Sequence, residues 1–310
     1  MPAVLNPSSG TRYTYDLGSA GEAARARSSA PSAYSAEVES GLTAAPAAVR
    51  GVSVGGQRAH VALLHVNGGA GCPLHACAAE KFVFVLQGSL CADINVRLVE
   101  VAAQSALHVP AGMPHALHAT EPASFIVALS RESGPAARYF DSADAQWRDG
   151  EVARARPQTQ ADAGGERCFV YAIDRLDAAP ATVTSAKVVP KNFVSGKSSS
   201  FGAALSGTAL HVGVIHKARG SGAKLHTHPN EQFNVVLEGR LLGEIAGAPM
   251  DVAPYGLIHM PAGVPHCTMA SADGDITVFV VKDTSHGLSG PPVDGIEDGP
   301  RYLPGFGPKA

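Results

Sequence analysis

Gly220-Ser-Gly-Ala-Lys-Leu-His226-Thr-His228-Pro-Asn-Glu231-Gln232-Phe-Asn-Val-Val-Leu-Glu238-Gly239 has an altered double earlier in the chain. The double reads Gly69-Ala-Gly-Cys72-Pro-Leu-His75-Ala-Cys77-Ala-Ala-Glu80-Lys81-Phe-Val-Phe-Val-Leu-Gln87-Gly88. A slide of 151 residues carries His60 onto His211, His65 onto His216, His75 onto His226, Glu80 onto Glu231 and Phe82 onto Phe233. The same slide carries His108 onto His259, Pro110 onto Pro261, Gly112 onto Gly263, Pro114 onto Pro265 and His115 onto His266. No gap is needed over roughly 55 residues, and a long fixed period means two copies of one folding unit.

The composition agrees with two β domains. Charged residues make up 16% of the 310, against a typical ~25%, while glycines number 34 and prolines 22. Short apolar bursts fall at 60–66, 82–86, 107–109 and 125–129, and again at 210–216, 233–237, 257–260 and 276–281. Each is bounded by Gly, Pro or polar residues, as short strands are. The expectation is an all-β chain of two sandwiches or barrels. Residues 1–33 read as a flexible arm, 34–130 as the first domain and 131–165, which holds Trp147, as a linker with one short helix. Residues 166–285 read as the second domain. The Pro/Gly-rich tail, 286–310, reads as irregular chain that wraps over a barrel or a neighbouring subunit.

The net charge of −3 gives no basic footprint for nucleic acid. No apolar run reaches the ~20 residues of a membrane helix. The amino terminus lacks a charged-then-apolar leader. Cys72, Cys77, Cys91, Cys168 and Cys267 are odd in number and irregular in spacing, which predicts reduced thiols in a cytoplasmic protein.

In a strand, side chains two apart share a face. His226 and His228 therefore project together, with Gln232 and Asn234 at the same parity and Glu231 at the opposite one. Pro261-Ala-Gly-Val-Pro-His266 brings a third histidine after a turn. Three converging imidazoles suit a first-row divalent metal.

The pattern resembles the cupin superfamily, whose first motif is Gly-x5-His-x-His-x3,4-Glu-x6-Gly and whose second is Gly-x5-Pro-x-Gly-x2-His-x3-Asn. Gly220–Gly239 matches the first, with Gln232 in place of Glu. The second reads Gly256, four residues, Pro261, Gly263 and His266, with Ala270 in place of Asn. Because both repeats carry it, the chain looks like a bicupin, two tandem jelly-roll (double-stranded β-helix) barrels. The resemblance implies one divalent transition metal (Fe, Mn, Ni or Zn) in the carboxyl-terminal cupin, held by His226, His228, Gln232 and His266, and a homodimer. Three imidazoles and an amide would leave the ion its full +2 charge and favour a small anionic, chelating substrate. The stretch HTHPNEQ is similar to a subgroup with His-x-His-Pro-x-Glu-Gln that includes sugar-acid-converting proteins. All-neutral ligand sets also occur in cupins that cleave β-diketones with oxygen.

In the first copy Cys77 stands for His228 and Lys81 for Gln232, while His75 and His115 are kept. An ammonium at a cation's place predicts a metal-free barrel with Lys81 filling the vacancy. A zinc site of His75, Cys77 and His115, and an anion site on Lys81, are the alternatives. Glu80 and Glu231 recur in both copies, which points to a structural pair. His259, close to the third ligand, and Asn234 are the candidates for a catalytic role beside the metal. Tyr255, Phe233 and Met260 are candidates to line the second barrel, the last two as plain core. Cys267 follows His266 and should face the other way. The function expected is a metal-dependent enzyme, most of all a dioxygenase-type oxidative cleavage. A non-redox isomerase or lyase on a sugar acid or 2-oxo acid is the alternative, and a non-catalytic binding bicupin the third.

Overall fold

The computed structural model describes residues 3–5, 13–17, 49–69, 71–95, 97–131, 138–139, 156–157, 168–173, 185–189 and 198–308. Their regular elements are strands, as expected of an all-β chain. Two units form: Met1–Asn6 with Ser19–Lys187, and Pro7–Gly18 with Val188–Ala310.

In the first unit a seven-stranded sheet runs, in spatial order, Ala3–Leu5, Val49–Gly55, Ala59–Val66, Ala123–Ser130, Lys81–Gln87, Ser105–Val109 and Val170–Ala172. Its companion has Arg138–Tyr139, Gly71–Ala76, His115–His118, Ser89–Ile94, Arg97–Ala102 and Arg156–Pro157. The second unit repeats the order as Lys187–Val189, Phe201–Ser206, Leu210–Lys217, Ile276–Asp283, Gln232–Glu238, Gly256–Met260 and Thr14–Asp16. Its companion has Ala248–Val252, Leu241–Ile245, His266–Ala270, Ser221–Ala223 and Pro300–Tyr302. Neighbours in space that are not neighbours in sequence, in two sheets per unit, make each unit a jelly roll.

The alternation of the strands places one side-chain set between the sheets. Val236, Ile258, Met260 and Val278 from one sheet meet Leu241, Ile245, Met250, Val252 and Ala270 from the other. The first unit is filled more heavily, with Phe125, Val83, Val85, Leu64 and Leu107 against Leu90, Ile94, Val99 and Val101. Each such fully buried side chain contributes about 1.5–3 kcal/mol relative to exposure. Gly88 and Gly239, which follow the strands Lys81–Gln87 and Gln232–Glu238, hold φ of 74° and 76°. At Gly239 a Cβ would also lie 2.2 Å from the Asp275 carbonyl oxygen, so the glycine of the motif is required twice over.

Three expectations are corrected. The segment read as an arm contributes two strands: Ala3–Leu5 runs parallel to Val49–Gly55, and Thr14–Asp16 pairs with Gly256–Met260. Tyr15 and Leu17 bury their side chains, an alternation hidden by Ala, Ser and Gly around it. The tail read as irregular forms the strand Pro300–Tyr302 on Ser221–Ala223. Nearer the histidines, Val293 N donates to Leu225 O and Thr227 N to Pro291 O. An open sheet edge needs covering, and the tail covers this one; its prolines are tolerated on an edge strand. Within the stretch read as a linker, Arg138–Tyr139 and Arg156–Pro157 are strands. Trp147 and the linker's expected helix lie outside the described residues, as do the boundaries placed at 33 and 165. Among the described residues no helix is long and apolar enough to cross a membrane.

Candidate metal centre

His226 and His266 are cross-strand partners, each backbone N–H donating to the other's carbonyl at 3.0 Å. Gly263, in the turn before His266, donates its N–H to the carbonyl of His228 at 2.8 Å. His266, distant in sequence, is thus held beside His226 and His228 by main-chain bonds. Each imidazole then commits its Nδ1 to a backbone carbonyl two residues away: His226 to Lys224 (2.8 Å), His228 to Asn230 (2.9 Å) and His266 to Val264 (2.8 Å). A carbonyl only accepts, so Nδ1 carries the proton and Nε2 keeps a free lone pair. Asn230 is itself anchored, its Nδ2 donating to the carbonyls of Asp283 and His286.

One ligand atom from each ring lies within 4.8 Å of the other two. Burial is the first cause that lowers the pKa of all three histidines, taking His228 to about 4 and His266 well below the usual range, with Lys282 adding to the effect. They are neutral near pH 7, the form that ligates metal. Nε2 of His228 is buried without a hydrogen-bond partner. A buried lone pair left empty costs about 1–3 kcal/mol, and three such imidazoles fit a divalent transition metal.

The histidines open on a cavity of about 160 Å³. Gln232 and Asn234 line it, as their parity requires, and Gln232 Nε2 donates to Asn234 Oδ1 at 2.8 Å. That bond fixes the amide and leaves its carbonyl oxygen as the atom able to act as a ligand. Two lining lysines carry no signal in the motifs. Lys282 is the cross-strand partner of Gln232, and its Nζ donates to Leu288 O at 2.7 Å. Lys217 donates to Thr268 Oγ1 at 3.0 Å and to its carbonyl at 3.3 Å. Burial brings both lysines down to about 8. Each ends an apolar burst, and Lys217 stands where the slide has Val66; a lysine closing a buried strand was the clue available. Tail residues Leu288, Ser289, Gly290 and Pro292 supply one wall.

His259 does not border this cavity, which corrects the expectation. It is paired with Phe233, one residue out of parity with Gln232, and stacks on that ring at 4.5 Å and 11°. Its Nε2 meets Glu231 Oε1 at 2.7 Å, both groups buried. His108 and Glu80 repeat the pair at 3.0 Å, with Phe82 stacked on His108. Phe233 is therefore core of the outer face, and Met260 is core between the sheets. Tyr255 is exposed in a turn at φ 62° and is not among the residues lining this cavity. Cys267 is buried and pairs with Glu244, out of parity with His266.

In the first unit Lys81 Nζ sits 2.8 Å from His115 Nε2 and 3.4 Å from His75 Nε2. His115 Nδ1 meets Met113 O at 2.9 Å, the same anchor as in the second unit. The ammonium occupies the place between imidazoles that the other unit leaves to a ligand. Cys77 turns its Sγ to Ala79 O, and burial pushes the Cys72 thiol up to about 11. The Cys72 thiol therefore keeps its proton at neutral pH.

Three outcomes are expected. His226→Ala leaves the second barrel folded and removes its transition metal, read as metal per chain after dialysis against the free ion. Lys81→Gln removes the competing ammonium and admits a second equivalent of metal by the same readout. In the metal-free protein, Lys217→Met is more stable than wild type at pH 7, by on the order of 1–3 kcal/mol, because a buried charge becomes a thioether. Between pH 8 and 10.5 the folded lysine has lost its proton while the unfolded one holds it, so wild type gains stability with rising pH. The variant's advantage in urea unfolding accordingly shrinks across that window.

The cupin domain family model matches residues 62–129 and 213–282, one match in each barrel. No curated protein matches the chain in sequence. Among solved structures of similar shape is oxalate decarboxylase from Bacillus subtilis at pH 4.6, with 14% identity over 87% of this chain and 75% of that one and a TM-score of 0.53. Another is the Bacillus subtilis oxalate decarboxylase studied for its Mn(II) centres, with 15% identity over 77% and 74% and a TM-score of 0.51. At such identity the likeness is one of fold, two barrels in tandem. Repeat, strand order and family match agree: the chain is a bicupin, built of two cupin domains.

Proposed function

We propose that the second cupin is a metal-dependent enzyme that cleaves a carbon–carbon bond in a small, anionic, metal-chelating substrate. The observation that carries this is charge. The described lining of the cavity holds the neutral imidazoles of His226, His228 and His266, a fourth histidine, His211, the amides of Gln232 and Asn234 and the lysines Lys217, Lys224 and Lys282, against the single carboxylate of Asp298, which is exposed on the tail. A divalent ion held by His226, His228, His266 and Gln232 would keep its +2 charge and supply Lewis acidity, and electron exchange if it is iron.

The remaining work falls to side chains of this chain. Lys282, beside Gln232, presents an ammonium whose one fixed bond, to Leu288 O, leaves two protons for a substrate carboxylate. With a pKa near 8 it also lies close enough to neutrality to give or take a proton. Asn234 holds the Gln232 amide in place. Leu288 and Pro292 shield the histidines from bulk water on the tail side, which strengthens each of these interactions.

With iron and dioxygen the cleavage is oxidative, of dioxygenase type. With manganese, nickel or zinc it is a non-redox lyase reaction. The second branch draws support from a fold shared with a manganese protein named for decarboxylating oxalate. The test is metal content on protein purified without added metal or chelator, followed by oxygen uptake and carbon dioxide release on a panel of small carboxylic acids. About one equivalent of metal per chain and metal-dependent turnover are expected. A folded protein that takes up neither iron nor manganese nor zinc on reconstitution would overturn the reading.

A further inference from the structure

We propose that the substrate carries two anionic ends separated by an apolar stretch, and that Lys217 with Thr268 receives the end that does not bind the metal. The inference rests on the reading above, that the imidazoles hold a metal which binds the first end.

Lys217 is 5% exposed and Lys282 2%. Buried lysines are rare unless paired, yet among the described residues neither donates to a carboxylate. Asp283 acts on Lys282 through space only. An unpaired buried ammonium is strongly unfavourable, and a bound anion relieves it. Two of them in one cavity ask for two negative charges. Lys217 spends two of its protons on the Thr268 hydroxyl and carbonyl oxygens, so one remains, and the Thr268 hydroxyl hydrogen is free to donate as well. Ammonium and hydroxyl side by side form a carboxylate receptor.

The register sets the distance between the two ends. His211 pairs with Lys282, and Lys217 lies six residues farther along the same strand. At ~3.3 Å per residue the two lysine backbones stand roughly 20 Å apart, but the Lys217 head group reaches Thr268, two residues and so roughly 7 Å along the strand from His266. Lys282 acts electrostatically on all three imidazoles, whereas Lys217 acts on His226 alone. Between them the cavity wall is Ile215, Val278 and Val280. An apolar waist between two cationic ends excludes a substrate that is charged throughout its length.

The test compares two five-carbon acids, glutarate with two carboxylates and valerate with one, and adds oxalate as a short dianion. Binding to the Mn(II)-loaded full-length protein is measured by calorimetry, with metal content read in parallel. Wild type should bind glutarate at least tenfold more tightly than valerate and more tightly than oxalate. Lys217→Met should erase the advantage of glutarate while leaving valerate affinity and metal content unchanged. Thr268→Val should reduce it in the same direction, which keeps the test available if the lysine variant does not fold. Equal binding of glutarate and valerate by wild type, tighter binding of oxalate, or a glutarate preference that survives Lys217→Met overturns the inference. A wild-type protein that loads no Mn(II) fails the metal reading itself, and the parallel metal measurement tells that failure from the others.

Discussion

Everything at the second centre depends on three short hydrogen bonds from imidazole Nδ1 to the main chain. Lys224, Asn230 and Val264 each offer a carbonyl to the histidine two residues away. The tautomer and the ring plane are therefore set by backbone that the sheets already hold, and the ligand atoms have no freedom left to disperse. Such outer partners tune a metal site as much as the ligands do. The histidines are thus placed by folding, while their neutrality is set by burial.

The two barrels share this scaffold and differ in where they put a positive charge. In the first, Lys81 is the cross-strand partner of Leu129, and its ammonium bridges the imidazoles of His75 and His115. In the second, Gln232 is the partner of Lys282, so the lysine has moved to the adjacent strand. The same level of the barrel carries one lysine in each case. On one strand it fills the centre; on the other it leaves the centre open and faces what would bind there. Around the filled centre a dense apolar core has closed, with Cys72 and Cys77 as members. Around the open one a cavity remains.

The sequence made the scaffold legible because the physics of strands is local. A period of two puts His226, His228, Gln232 and Asn234 on one face, and all four do line the cavity. The slide of the two copies exposed Lys81 as an intruder, and the structure shows it between the imidazoles. What stayed hidden depends on partners far along the chain. His259 sits close to His266 in sequence, but register with Phe233 sends it outward to Glu231, a pair that Glu80 and His108 already hinted at by recurring. Lys217 and Lys282 look like ordinary strand ends until the strands Phe201–Ser206 and His266–Ala270 and the tail enclose them. The tail strand itself was disguised by its prolines, which matter less on an edge than in a sheet interior.

The strand Thr14–Asp16 gives this chain an order of assembly. It borders Gly256–Met260, where the Tyr13 carbonyl accepts from His259 N and Leu17 N donates to Tyr255 O. The second barrel is thus completed by residues that fall in the sequence between Ala3–Leu5, the earliest strand of the first barrel, and all the rest of that barrel. A ribosome delivers that edge early, and it waits for its sheet until nearly the whole polypeptide has emerged. Severing the chain between the two units would strip the second of its own border and leave Gly256–Met260 as a bare template for pairing with another molecule. The second unit, though it reads as a separable module, is one only when it carries its distant first strand with it.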